Sequence, residues 1–84
     1  MFLARVYVTL KPAVNDPHGK TILWGLRSLG FDLAREVRAG KYLEIRVENT
    51  ELAEAEAMVE EMCKKLLANP VIESYRYDLE KIDS

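Results

Sequence analysis

The sequence predicts an α+β fold of ferredoxin-like, split β-α-β-β-α-β order, with two helices packed on one face of a four-stranded antiparallel sheet. Three observations lead there. The chain opens on FLARVYVTL, which alternates apolar and other residues with a period of two. Two apolar stripes of helical period follow, over 22–29 and 52–66. REVRAGKYLEIRVE, between the stripes, and VIESYRYDL, after them, return to strand-like alternation.

In strand one, Phe2, Ala4, Val6, Val8 and Leu10 take one face, while Leu3, Arg5, Tyr7 and Thr9 take the other. DPHGK reads as a helix start. Asp16 at the N-cap accepts from free amides, and Pro17 at the first helical position loses nothing by lacking an N–H. Ile22, Leu26 and Leu29 form the stripe expected to be buried, with Gly25 beside them and Gly30 as the stop. Setting that stripe inward turns Trp24 by about 200°, toward solvent, where a tryptophan suits contact with another chain.

Gly40-Lys41 fits a tight turn between a short strand around 35–39 and a longer one over 42–48. In the longer one Leu43, Ile45 and Val47 alternate with Glu44, Arg46 and Glu48. In the second helix Leu52, Ala55, Val59, Met62 and Leu66 recur at steps of three and four, with Glu60–Lys64 and Glu61–Lys65 paired on the wet side. Asn49 or Thr50 is the expected cap, and Asn69-Pro70 the terminator. VIESYRYDL closes the sheet. Right-handed crossovers would place strands one and three in the middle.

Composition narrows the function. Residues 1–84 are expected to form one domain, too small to bury a large core, so association with other chains would stabilise it. Twelve basic and fourteen acidic residues leave a net charge of −2, against a dedicated nucleic-acid binder. Tyr7 and Tyr42 stand where an RNA-binding sheet keeps stacking aromatics, but GKYLEIRVE lacks the others, and Glu44 and Glu48 would repel phosphate. One cysteine, Cys63, excludes an internal disulfide and a multi-cysteine metal site. MFLARVYVTL has an arginine in its apolar run and no small-residue cleavage site, so it does not read as a signal peptide, and no stretch reaches the ~20 residues of a membrane span. A soluble, cytoplasmic protein is expected, binding neither membrane nor nucleic acid.

The residues that could do chemistry are few. His18 has no second histidine to share a metal and no orienting partner beyond Asp16, which is better placed as a cap. Gly19-Lys20 lacks the spaced glycines of a phosphate loop. Cys63 lies on an apolar stripe, and Met58 and Met62 read as filler beside it. No residue is therefore assigned as catalytic, cofactor-binding or metal-ligating. What remains is surface. Two helices leave one sheet face open, and Arg5, Tyr7, Tyr42, Glu44 and Arg46 on that face, with Trp24, are the candidates for self-association into a dimer or higher symmetric oligomer.

VYVTLKPAVNDPHGK, LRSLGF, VRAGKYLEI and MCKKLLANPVIESYR, in this order and spacing, resemble the PurS family, the small subunit of phosphoribosylformylglycinamidine synthase. The likeness covers nearly the whole chain; Leu23 and Trp24 depart from the smaller or more polar residues expected there. It implies an α+β fold and a non-catalytic role in purine biosynthesis. In such an enzyme a large synthetase subunit uses ATP and Mg, a glutaminase subunit releases ammonia, and the small subunit dimerises and bridges the two. The chain is then an obligatory part of a C–N ligase with no cofactor of its own. On that reading Lys11, Asn15, Asp16, His18 and Lys20 form one expected docking patch, and Arg38, Gly40 and Lys41 a second. Two other functions fit the same topology. An acylphosphatase needs an arginine in the loop after strand one, and residues 11–20 have none. An effector-binding regulatory domain of ACT-like topology normally sits fused to an enzyme.

Overall fold

The computed structural model describes residues 1–48 and 51–82. Its elements are β1 (Phe2–Leu10), α1 (Pro17–Ser28), β2 (Gly40–Val47), α2 (Leu52–Met62) with a π-helical turn over Cys63–Leu67, and β3 (Glu73–Lys81). The sheet has the order β2-β1-β3, and both pairings are antiparallel.

Alternation in β1 sorts the sheet into two faces. Ala4, Val6 and Val8 are buried beneath Val59 and Cys63 of the second helix, with Val47 and Ala68 completing the cluster. Leu43, Ile45, Tyr75, Tyr77 and Leu79 flank this core from the two outer strands. Register puts them there, because Val6 stands opposite Leu43 on one side and Tyr77 on the other. Side chains of odd number in β1 point the other way, so Arg5 faces Glu44 and Asp78, and Tyr7 faces Tyr42 and Arg76. Ser74 and Arg76 therefore belong to the open face, and Tyr75 and Tyr77 to the core.

The second helix follows its expected stripe only in part. Ala55, Val59 and Cys63 are buried, whereas Leu52 and Leu66 are exposed. The π turn is the reason for Leu66. The Ala68 amide donates to the Cys63 carbonyl five residues back (3.0 Å), which widens the turn and brings Leu67 against the core in place of Leu66. Glu61 pairs with Lys65 at 3.1 Å, but Glu60 accepts from the Tyr75 hydroxyl instead of pairing with Lys64. Asn69 Oδ1 accepts from the Val71 amide, turning the chain at Pro70. The expected caps Asn49 and Thr50 lie outside the described residues; Glu51 occupies the N-cap position without a side-chain bond.

Three expectations are corrected. Among the described residues the sheet has three strands, not the four expected, so β1 is central and the strand expected third lies at an edge. Residues 35–39 pair with no strand among the described residues, and no hairpin forms at Gly40-Lys41, because these two pair with Thr9 and Val8 of the long first strand. Finally, α1 does not lie on the sheet. Only Gly19 within it is buried, and Ile22 and Leu29 of the expected stripe are exposed. The chain leaves the sheet after Leu10, runs out along α1, turns at Gly30 with φ +96° and returns through 31–39. This arm gives a radius of gyration of 16.5 Å and a long axis of 49 Å. A compact chain of this length would have a radius of about 12 Å.

Val59 is fully buried at the centre of the helix–sheet contact. Val59→Ala is expected to lower stability by about 2 kcal/mol, a thermal midpoint shift of roughly 10 °C, measured by calorimetry.

Candidate functional site

Local sequence builds a neck where the arm joins the sheet. Asp16 is 3% exposed, and its carboxylate takes two backbone amides at once. Oδ1 accepts from Gly19 N–H at 2.9 Å, the helix cap expected from the sequence, and Oδ2 accepts from Ala39 N–H at 2.8 Å, on the returning segment. One side chain thus ties the outgoing helix to the incoming chain. Gly19 permits the approach, since a Cβ there would stand 2.2 Å from the Val37 carbonyl oxygen. Arg38 closes the neck from outside by donating to the carbonyls of Lys11 (2.9 Å) and Val14 (3.2 Å). Lys11 in turn donates through Nζ to Pro70 O and through its amide to Ile72 O, both at 2.9 Å.

The two docking patches expected separately are therefore contiguous. Lys11, Asn15, His18 and Lys20 lie on one side of the neck, and Arg38, Gly40 and Lys41 on the other. Asn15, His18 and Lys20 present exposed side chains, whereas the Asp16 carboxylate is turned inward. Lys41 Nζ donates to the Leu67 carbonyl at 3.3 Å, securing the end of the π turn. Residues 69–72, which the sequence reading divided between the Asn69-Pro70 helix stop and the start of the last strand, belong instead to the neck through Lys11, and the strand begins at Glu73. The pairing is between distant segments, so local spacing gave no sign of it.

The Asp16 carboxyl is held below the usual carboxylate range. The Ala39 amide contributes most and the Gly19 amide next, with Arg38 and His18 adding favourable charge against the cost of desolvation. These bonds are thus fully present above the ordinary aspartate value of about 4 and are lost as pH falls through the lower folded value.

The open face carries a second polar arrangement. The Arg5 guanidinium reaches Glu80 and, at 3.2 Å, Asp78, which together hold its charge more firmly than usual, Glu80 foremost. Arg76 stacks 4.0 Å above the Tyr7 ring, and Tyr7 meets Tyr42 at 5.1 Å between centroids. The Tyr42 hydroxyl donates to Glu44 at 2.7 Å, a bond that favours the protonated phenol and, with desolvation, pushes its pKa up. A shallow cavity of about 150 Å³ lies between Tyr7, Thr9, Ser74, Tyr75 and Arg76. Arg5, Tyr7, Tyr42, Glu44 and Arg46 are thus brought onto one face, but Trp24 is on the arm and does not join them. Asp78 and Glu80 escaped the sequence reading. Their alternation with Tyr77 and Leu79 was the available signal.

Reactive chemistry has little support here. Cys63 is buried, and burial with the nearby Glu60 charge pushes its thiol up, away from a nucleophilic thiolate. No group of three or more potential metal ligands occurs among the described residues. No described helix is long and apolar enough to cross a membrane.

The Gly19 and Ala39 amide resonances should titrate together in an NMR pH series, with a midpoint below about 3.9. In Asp16→Asn that shared acid transition should vanish.

Comparison with known proteins adds a relationship to this geometry. The family model described as PurS, phosphoribosylformylglycinamidine (FGAM) synthase, matches residues 3–81. The phosphoribosylformylglycinamidine synthase subunit PurS of Bacillus subtilis (strain 168) is 43% identical over 82 residues, covering 98% of this chain and 96% of that protein. The crystal structure of Methanocaldococcus jannaschii PurS, one of the subunits of formylglycinamide ribonucleotide amidotransferase in the purine biosynthetic pathway, superimposes with a TM-score of 0.87. It is 46% identical, with 99% of this chain and 100% of that one covered. A chain in the structure of PurLQS from Thermotoga maritima matches with a TM-score of 0.83 at 30% identity, covering 95% and 99%.

Proposed function

The chain belongs to the PurS family, and from that premise we propose that it is the small, non-catalytic subunit of phosphoribosylformylglycinamidine synthase in purine biosynthesis. The observation that carries this is the match over 3–81, together with the likeness to a chain of PurLQS. In this reading the subunit docks a large ATP- and Mg-using synthetase subunit and a glutaminase subunit. It holds them so that ammonia released by one reaches the other without loss. The chain itself takes no cofactor. Its work is done where larger enzymes assemble, in the cytoplasm.

The geometry fits a bridging part. The neck is rigidly tied by Asp16, Arg38 and Lys11, yet it displays Asn15, His18 and Lys20 outward. Preorganised polar groups of this kind dock a partner with little ordering cost. Lys11, Asn15, Asp16, His18, Lys20, Arg38, Gly40 and Lys41 are the proposed docking region, with Asp16 acting from inside. We also take the protein to self-associate, and the four-stranded, ferredoxin-like arrangement to belong to its assembled state. An effector-binding role of ACT-like type has no observation in its favour.

Glutamine-driven product formation by the synthetase and glutaminase chains is expected to require this protein, whereas synthesis from ammonium salts should proceed without it. Equal glutamine-driven rates with and without the protein would refute the bridging role. Lys20→Glu should lower the glutamine-driven rate about tenfold at limiting subunit concentration, as loss of a rim charge slows association.

A further inference from the structure

The turn that follows α2 shows two large apolar side chains to solvent. Leu66 is 83% exposed and Val71 77%, although the backbone that carries them is braced by side-chain hydrogen bonds. Lys41 Nζ donates to Leu67 O at 3.3 Å, and Lys11 Nζ to Pro70 O at 2.9 Å. Asn69 Oδ1 accepts from the Val71 amide at 3.0 Å, and the Asn69 amide donates to Glu73 Oε1 at 2.6 Å. Single exposed leucines and valines are ordinary on a surface. Two of them on a corner fixed in this way form a rigid apolar projection, which docks with little loss of freedom.

The same corner is basic. Lys64 is without its expected helical partner, since Glu60 turns to Tyr75, and the ion pair formed there joins Lys65 to Glu61. Glu73 is engaged by the Asn69 amide. Lys11, Arg38 and Lys41 donate to carbonyl oxygens, which fixes these cations without neutralising them. Among the described residues neither they nor Lys64 form an ion pair with a carboxylate. In a chain of net charge −2 this is a local concentration of positive charge, joined to the corner that carries Leu66 and Val71. Charge held in this way speeds the approach of an acidic surface and sets its orientation.

We propose that the corner over residues 64–72 seats on a larger subunit, with Leu66 and Val71 entering an apolar recess that carboxylates surround. The inference rests on the bridging role proposed above. To that role it adds the part of the surface that makes the contact and the chemistry that meets it. Continuity supports it, because Lys11 and Lys41 belong to the neck patch and bond directly to the corner. A second copy of this chain is a poorer occupant. Its Glu48, after β2, and Glu56, in the first half of α2, lie toward the opposite end of the sheet. A contact from this basic end to that acidic end is heterologous, so it would propagate head to tail and not close.

Photocrosslinking in the intact complex tests this, with Val71 replaced by the photoreactive residue p-benzoylphenylalanine. A crosslink is expected to the synthetase or glutaminase chain, at a segment flanked by aspartate or glutamate. A crosslink only to a second copy, or to a segment without carboxylates, would overturn the proposal. Lys64→Glu should slow association with the crosslinked chain about tenfold and flatten its dependence on salt. Lys81→Glu makes the same change in net charge at the far end of β3 and should leave the rate within about twofold. Val71→Asp should speed dissociation roughly tenfold with circular dichroism unchanged, because Val71 lies outside the core. Complexes that form and persist normally with both Lys64→Glu and Val71→Asp would overturn this inference and leave the bridging role standing. Failure of the unaltered protein to join either larger chain would overturn both.

Discussion

A single buried carboxylate directs the architecture. Asp16 takes its hydrogen bonds from two amides that are far apart in sequence. One belongs to the first turn of a helix, where free N–H groups and the helix dipole favour an anion. The other belongs to the chain on its way back. Satisfying both aligns outgoing and returning segments side by side, and the alignment aims α1 off the end of the sheet. The long axis and the bare helix follow from this geometry.

Below the neck, organisation is simpler. β1 is paired along both edges, and its two-residue period divides the sheet into a dry side and a wet side. The dry side is small and built mainly of valine and alanine, which pack closely under α2 but bury little area. The wet side ties three strands together through the Arg5 ion pairs and the Tyr7–Arg76 and Tyr7–Tyr42 contacts. What such a chain offers its surroundings is surface: the polar sheet face and the side chains displayed by the neck. That is the physical counterpart of a subunit that acts through its faces.

Local rules read well where local physics decides. The Asp16 cap, the Gly30 stop, the outward Trp24 and the alternation of β1 were all legible, because capping, handedness and period act over a few residues. The family relationship was legible as well, from four segments in fixed order. Misread were the features that depend on distant partners. The stripe Ile22–Leu26–Leu29 has the spacing of a buried face, but the neck carries α1 off the sheet, and Ile22 and Leu29 are exposed. Residues 35–39 alternate as a strand would, but the Asp16 bond to Ala39 and the Arg38 bonds to Lys11 and Val14 hold them in the neck. The π turn left no periodic mark, so Leu66 was assigned to a stripe that Leu67 in fact continues. Among site residues, the neck patch was half legible: its members were named, and their contiguity was not.

The central position of β1 has a consequence for how the molecule comes into being. β1 is flanked on one side by residues distant in sequence, since Phe2 pairs with Lys81 and Leu10 with Glu73. Its second edge stays unsatisfied until β3 has joined it. Folding is thus governed by contacts of long sequence separation, which close slowly. Until that happens the chain shows an unprotected strand edge to its surroundings, a place where unwanted pairing can start.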